Sequence, residues 1–86
     1  MNQLDLFPTR VHLRWVDRAN ATPRFYVLSV QPTLFGEWTL VREWGRVGIS
    51  RWVRSDLYPS SGSAIDALLD LSRKKSRRGY RPVGSA

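Results

Sequence analysis

The spacing of apolar residues changes abruptly near residue 60, and this change limits the folds open to the chain. Between Val11 and Leu57, apolar and polar residues alternate in short segments, which is the period of half-buried β-strands. From residue 63 onward, apolar residues recur three and four positions apart, which is the period of an amphipathic helix. We therefore predict an α+β fold, a twisted antiparallel β-sheet of four to five strands with one C-terminal helix packed on one face.

The connections between the predicted strands contain residues that break regular structure. The segment 17–23 has a loop composition, 32–36 places a proline and a glycine in a hairpin connection, and 45–48 is a glycine-flanked break. The strands between these breaks are predicted at 11–16, 25–31, 37–44 and 49–57.

Alternation within each strand predicts which side chains share a face. The sets are Val11, Leu13 and Trp15; Tyr26, Leu28 and Val30; Trp38, Leu40, Arg42 and Trp44; and Ile49, Val53 and Leu57, with Trp52 and Arg54 on the opposite face of the last strand.

The helix is predicted over 63–78 from signals at both ends. Ser63 is the predicted N-cap, and Asp66 three residues later forms a variant of the capping box. Gly79 is the predicted C′ residue, where a left-handed backbone ends many helices. The apolar stripe that should be buried on the sheet consists of Ile65, Leu68 and Leu69.

Length and composition limit the domain organisation and the sources of stability. With 86 residues, the chain is predicted to form one domain, 1–86, with a core at about 11–81 and flexible ends at 1–10 and 82–86. It has no cysteine, so neither a disulfide nor a thiolate metal site is available. Stability must come from packing, for which the chain supplies four Trp, three Tyr and three Phe.

No segment of the sequence has the pattern of a secretory signal or a membrane helix. We expect a cytoplasmic protein that binds no membrane and no cofactor, and a monomer. His12, the only histidine, is predicted to be a surface or partly buried strand residue rather than a metal ligand.

Positive charge is concentrated in the second half of the chain. The first 41 residues carry four basic and three acidic side chains, and the remaining 45 carry ten basic and four acidic ones. Twelve of the fourteen cations are arginine, which binds phosphates bidentately and stacks on flat rings. This composition favours a polyanionic partner.

The triplet Trp44, Gly45 and Arg46 lies at the end of the third predicted strand. One interpretation makes Trp44 a core residue and Arg46 a solvated cation. The other makes the indole a surface for a nucleotide, with Arg46 on a phosphate and Gly45 lacking a side chain that would hold the nucleotide away.

The end of the helix is also open to two interpretations. Its cations could be a solvated face that complements the helix dipole, or a face that contacts phosphates. Tyr80, just beyond the helix, could pack the chain end or contact a ligand. The cations are Arg73, Lys74, Lys75, Arg77 and Arg78.

The sequence EWGRVG at 43–48, together with its surroundings, resembles the WGR domain, which is named for this triplet. Residues 24–48 are similar to the body of small stand-alone bacterial WGR proteins, and KKSRRGY at 74–80 is similar to that family's Lys-rich helix and Gly-Tyr ending. The resemblance covers about residues 20–81. After the triplet the chain departs from the common pattern of a second glycine and a glutamine, and it has Ser50, Arg51 and Trp52.

The resemblance implies a function and roles for two residues. In poly(ADP-ribose) polymerases this domain binds DNA breaks near the 5′ end and relays the event to a catalytic domain. The motif tryptophan packs on the terminal nucleotide there, which corresponds to Trp44. The motif arginine, here Arg46, binds DNA or couples to a neighbouring domain. No polymerase segment follows in this chain, so we expect no enzymatic activity.

We therefore predict a nucleic-acid-binding module, most simply for DNA, that ignores base sequence and favours duplex ends or nicks. RNA is a further possible ligand. The alternative function is an adaptor that binds an acidic protein through an exposed Trp-Gly-Arg surface. The predicted binding residues are Trp44, Gly45, Arg46, Arg51, Trp52, Lys75, Arg78 and Tyr80.

Overall fold

The computed structural model describes residues 9–17 and 20–83, which form a five-stranded antiparallel sheet and one helix. The spatial order of the strands is β4-β3-β2-β1-β5, so consecutive strands are neighbours until the chain crosses through α1 to reach β5. The predicted α+β class is confirmed. The elements are β1 (Arg10–Asp17), β2 (Asn20–Pro32), β3 (Trp38–Arg46), β4 (Trp52–Tyr58), α1 (Ser61–Arg77) and β5 (Arg81–Pro82).

The core lies between α1 and one face of the sheet. Pairing places Leu13 opposite Tyr26 and Tyr26 opposite Trp44, so these side chains share the face that α1 covers. The predicted core-facing sets of the first three strands are confirmed, because the fully buried side chains of the sheet come from them. The largest fully buried side chains are Leu13, Leu28, Leu40 and Leu68.

Two predicted strand boundaries and one predicted loop are wrong. β2 begins at Asn20, which pairs with Asp17 of β1, with a register shift between Trp15 and Asp17. β4 begins only at Trp52, and Ile49 lies in a turn before it. Gly45 and Arg46 are still part of β3, so the predicted break at 45–48 starts later than expected. Cross-strand pairing overrides the local composition where β2 and β3 extend beyond their predicted bounds, whereas β4 starts late because the turn at 47–49 precedes it.

The start of α1 differs from the prediction by two residues. Ser60, not Ser63, is the N-cap: its hydroxyl accepts a hydrogen bond from the Ser63 backbone N–H at 3.1 Å. The Ser63 hydroxyl in turn donates to the Ser60 carbonyl oxygen at 3.0 Å. Asp66 is therefore not part of a capping box and lies exposed in the second turn.

The end of α1 follows the prediction for Gly79. Arg78 is the C-cap, and Gly79 follows with φ +102°. The Gly79 N–H donates to the Ser76 carbonyl oxygen, and the Tyr80 N–H donates to the Lys75 carbonyl oxygen. These two bonds form a Schellman motif, which turns the chain back and carries Tyr80 towards the sheet.

The buried stripe of α1 is centred one position away from the predicted one. Ala64 and Leu68 are fully buried, whereas Ile65 and Leu69 pack only partly against the core. The side chains at 64 and 68 are one helical turn apart and face the sheet, so those at 65 and 69 lie on the flank.

The described ends of the chain are tied to the sheet. The Thr9 carbonyl accepts from the Val30 N–H at 2.8 Å, and the Val83 N–H donates to the His12 carbonyl at 2.9 Å. Residues 9–10 and 82–83, predicted within flexible ends, are thus held by backbone hydrogen bonds. Residues 1–8 and 84–86 lie outside the described residues, as do residues 18–19. Across 9–17 and 20–83, no helix is long and apolar enough to cross a membrane.

Candidate nucleic-acid interface

A tight turn follows the Trp-Gly-Arg triplet. The Arg46 carbonyl accepts hydrogen bonds from the N–H groups of Ile49 and Ser50, at 3.0 and 3.1 Å. The Ser50 hydroxyl accepts from the Arg46 N–H at 3.2 Å, and Gly48 has φ +77°. The Ser50 hydroxyl thus closes the turn.

The turn gives a structural reason for glycine at position 45. Its φ is +155°, and a Cβ at this position would lie 2.2 Å from the Ser50 carbonyl oxygen. The turn's own backbone therefore occupies the space a side chain would need. The hypothesis that Gly45 is a glycine so that a nucleotide can approach stays a prediction.

Trp44 is both part of the core edge and accessible from outside. Its ring stacks on Tyr26, with centroids 5.8 Å apart and an interplanar angle of 16°. Tyr80 contacts the same Tyr26 edge to face, at 6.2 Å and 81°. Trp44 is only half-buried and also lines a surface concavity. Trp44 is therefore packed against the core, as the first interpretation of the triplet expects, and it also has an accessible surface, which the second interpretation requires.

The concavity brings together five of the eight predicted site residues, and adds two that were not predicted. It lies at the end of the sheet where β3 leaves the core and where the chain emerges from α1. Its lining residues are Arg24, Trp44, Gly45, Arg46, Ser50, Trp52 and Tyr80.

Arg24 was missed because it precedes the predicted second strand, and only pairing between strands reveals its position. It lies directly opposite Arg46 on β3. Its guanidinium carbon also lies 5.3 Å from the ring centroid of Trp15, its other cross-strand neighbour. Like charges directly opposite each other in a sheet are unfavourable. Because no ion pair to either arginine is found in the described part of the chain, an anion placed between them would relieve the repulsion.

Lys75 extends the basic surface from the helix. Its ammonium lies 4.5 Å from the Tyr26 ring centroid and 5.8 Å from that of Tyr80, so it contacts the aromatic cluster from the α1 side. Burial, followed by the positive charges of Arg78 and Arg42, lowers the pKa of Lys75 below its ordinary value of 10.5. A nearby anion would offset both causes, since it would stabilise the charged form.

Arg51, another predicted site residue, is engaged elsewhere. Its guanidinium donates to the Glu43 carboxylate, with Nε to Oε2 at 2.7 Å. Glu43 lies one position from Trp44 on β3, on the face opposite the core. Arg51 therefore lines a separate depression with Phe25, Gly48 and other residues of the turn, and does not line the Trp44 concavity.

Nine cations of the described chain fall into two groups by their ion pairing. One group forms ion pairs with carboxylates: Arg42, Arg51, Arg54, Arg73 and Lys74. No such pair is found, among the described residues, for the cations around the Trp44 concavity: Arg24, Arg46, Lys75 and Arg78. The basic end of α1 is thus divided too, since Arg73 and Lys74 pair with Asp70 on a different side.

Among the described residues, the lining of this concavity contains no carboxylate and no histidine. Over 9–17 and 20–83, no three His, Cys, Asp or Glu side chains form a group that could hold a metal ion. His12 is a half-buried residue of β1 opposite Val27, as predicted for a strand position.

Comparison with known proteins identifies the family. The sequence profile of the WGR domain matches residues 9–86. A curated relative, the uncharacterized protein y4dW of Sinorhizobium fredii (strain NBRC 101917 / NGR234), is 36% identical over 75 residues. That match covers 87% of this chain and only 37% of the relative. No solved structure matches the chain significantly. With its Trp-Gly-Arg triplet at the end of β3 and a matching profile along almost its whole length, the chain belongs to the WGR domain family.

Proposed function

We propose that this protein binds DNA without reading its sequence, and that it prefers duplex ends or nicks. The observation that carries the proposal is the pair of opposed arginines, Arg24 and Arg46, beside the accessible side of Trp44. In the proposed complex the arginines contact phosphates, and the indole packs on a terminal base or sugar. Lys75 and Arg78 extend the phosphate-binding surface along the end of α1.

Family membership supports the general class of function. The WGR domain is a nucleic-acid-binding module in proteins related to the poly(ADP-ribose) polymerases, and it is a binding domain rather than a catalytic one. The preference for ends rests on the shape and chemistry of the site. Trp44 offers a ring that stacks with any base, and arginine on phosphate carries no sequence information. A ring in a concavity can meet only a nucleotide that has been exposed at an end or nick.

A pair of matched variants tests the location of the site. Arg46→Gln removes a cation that lines the concavity, whereas Arg51→Gln removes a cation from the same loop that is bound to Glu43 on the other face. We expect Arg46→Gln to weaken binding to a short duplex and to flatten the log–log salt slope by about 0.9, the value of one phosphate contact. Arg51→Gln should leave the slope unchanged. Equal slopes for both variants would contradict the proposed site.

The ligand class is tested by a binding panel with the unmodified protein. Blunt duplex, nicked duplex, closed circular duplex, single-stranded DNA and RNA are compared at two salt concentrations. We expect nicked and blunt duplexes to bind more tightly than the closed circle. Equal affinity for all duplexes would remove the end preference, and tighter binding of RNA would change the class of ligand.

The exposed indole of Trp52 favours a second candidate, an adaptor for an acidic protein. Its side chain is 63% exposed beside cations, and Trp and Arg are the residues that most often dominate protein interfaces. In that case affinity for the protein partner would depend weakly on salt, and DNA would not compete with the partner. A steep salt dependence and competition by DNA would favour the first proposal.

A further inference from the structure

The edge strand β4 is an open hydrogen-bonding surface. It is the terminal strand of the sheet on one side, whereas at the other side β5 covers part of β1. Most of its residues are exposed, because α1 packs mainly over β2 and β3. Val53 and Leu57 are 53% and 62% exposed. An edge of this kind can add another strand unless its side chains prevent it.

The side of β4 that lacks a neighbour can be assigned. The Asp56 carbonyl accepts a hydrogen bond from the Thr39 hydroxyl of β3 at 3.2 Å, so this carbonyl points towards β3. The backbone polar groups of successive strand residues point to opposite sides. The N–H and C=O groups of Val53, Ser55 and Leu57 are therefore directed away from β3, towards solvent.

The sequence of β4 is complementary to itself when read in opposite directions. With Ser55 opposite Ser55 of a second copy, Val53 meets Leu57, Arg54 meets Asp56, and Trp52 meets Tyr58. Each of these cross-strand combinations, apolar with apolar, aromatic with aromatic and cation with carboxylate, is a favourable one. The hydrogen-bonded pairs in this register are formed by the three residues whose backbone groups are free.

Electrostatics selects this register over its neighbours. Opposite residues must share a face, so the strands can shift only to a centre one residue away, at 54 or 56. The first shift places Arg54 opposite Arg54, and the second places Asp56 opposite Asp56, and both are destabilising. Centring on Ser55 instead forms two pairs of Arg54 with Asp56 across the interface.

We propose that β4 pairs antiparallel with β4 of a second copy of this chain, about a two-fold axis through Ser55, and forms a symmetric dimer with a continuous ten-stranded sheet. This proposal replaces the expectation of a monomer. Such a contact is isologous, so it closes after two copies and leaves no further β4 edge. It places Tyr58 of the second copy beside Trp52, at the rim of the Trp44 concavity.

The dimer is tested without DNA, so the result does not depend on the proposed function, and at moderate salt, because high salt would screen the Arg54–Asp56 pairs. The unmodified chain is examined by sedimentation from micromolar to millimolar concentration. We expect its mass to rise from 9.9 kDa towards about twice that value. A monomer throughout the concentration series would overturn the proposal.

Two double variants with the same exposed positions test the register. Val53→Lys with Leu57→Lys places lysine opposite lysine twice, whereas Val53→Lys with Leu57→Glu places lysine opposite glutamate twice. The first should be monomeric at every concentration, and the second should dimerise more strongly than the first by at least tenfold. A dimer that persists equally in the Lys/Lys variant would show a different interface.

Crosslinking gives an independent test, because the chain contains no cysteine. Hydrogen-bonded opposite residues have Cα atoms about 5.5 Å apart, within disulfide range. Ser55→Cys should therefore form a disulfide-linked dimer rapidly under mild oxidation with diamide. Ser76→Cys, a control at an exposed position on α1, should react only at the rate of random collision. Equal crosslinking rates for the two variants would overturn the proposal.

Discussion

At the scale of single residues, the structure separates roles that the triplet combines in sequence. Gly45 leaves room for the backbone of the turn. Trp44 stacks on Tyr26 of the core with one side of its ring and lines the surface concavity with the other. Arg46 lies opposite Arg24 on the neighbouring strand. Arg51 follows the triplet closely and has similar chemistry, but it binds Glu43 on the far side of the sheet. Proximity in sequence is therefore a poor guide to membership in this site.

Trp44→Ala should affect DNA ends more than closed DNA. Loss of one stacked base or sugar costs about 1 to 3 kcal/mol, so affinity for blunt or nicked duplex should fall roughly 5- to 150-fold. Affinity for a closed circle should fall much less, because no terminal nucleotide is free to reach the ring. The variant also loses its contact with Tyr26, so the melting temperature is measured alongside. A parallel fall in both affinities would indicate a purely structural role for Trp44.

Gly45→Ala should destabilise the fold far more than the same change at Gly48. At Gly45 the new methyl group would collide with the Ser50 carbonyl, whereas at Gly48 no atom lies within 4 Å. Gly48→Ala should cost only the left-handed backbone strain of about 1 to 2 kcal/mol. We expect at least that much again for Gly45→Ala, measured by denaturant unfolding. Equal costs would mean that the turn can move away without penalty.

At the scale of elements, α1 does more than cover the sheet. Its Schellman ending returns Tyr80 to the aromatic cluster and keeps Lys75 over the Tyr26 ring. The helix therefore supplies one wall of the candidate site, and the end of β3 supplies another. The position of that wall depends on how α1 packs on the sheet through its buried residues Ala64 and Leu68.

Leu68→Ala should lower the free energy of unfolding by about 2 to 5 kcal/mol, because Leu68 is fully buried and the change leaves a cavity. Leu34→Ala is the matched control, since Leu34 is 97% exposed in the turn between β2 and β3. That control should change stability by no more than about 0.5 kcal/mol. A small effect at Leu68 would show that α1 is not docked as described.

At the scale of the whole molecule, the two sides of the sheet have different partners. One face packs on α1, and the other carries the ion pair of Arg51 with Glu43. The edge strand β4 pairs with β3 along its whole length, and the ion pair of Asp56 with Arg42, at 3.0 Å, adds a charged contact between these two strands. This pair connects the stability of the whole molecule to pH.

The fold should lose stability in acid through Asp56. Burial alone would raise the pKa of this carboxyl, but the hydrogen bond from Arg42 and the charge of Arg54 hold the pKa below its ordinary value of 3.8. Asp56 therefore contributes stability above about pH 3.8, and that contribution is lost as the pH falls through the folded-state pKa.

Asp56→Asn should make unfolding less dependent on pH below about 3.8, because the titrating group is gone. It should also lower stability at neutral pH, where the Arg42 guanidinium loses its charged partner. Asp66→Asn, a change on the exposed surface of α1, is the control. An unchanged acid profile in Asp56→Asn would show that the pair does not contribute, and both variants are compared by thermal melting across pH.

The fold class, the core faces of β1 to β3, the C-terminal end of α1 and the family were all predictable from sequence. These features follow from periodicity and from local signals such as the glycine after a helix, and local signals survive folding. The start of α1 was missed because Ser60 and Ser63 are the same residue type, and only the chain's direction at Pro59 and Ser60 decides which one caps.

Only the tertiary structure decided which side chains form the candidate site. Arg24 joins Arg46 through strand pairing across 22 positions of sequence, and Lys75 reaches the same place because α1 crosses the sheet. Arg51 does not line the site, because its side chain pairs with Glu43 on the opposite face of the sheet. Periodicity determines which face of an element is buried, but the pairing of distant elements determines which charges meet, and that pairing depends on the packed core.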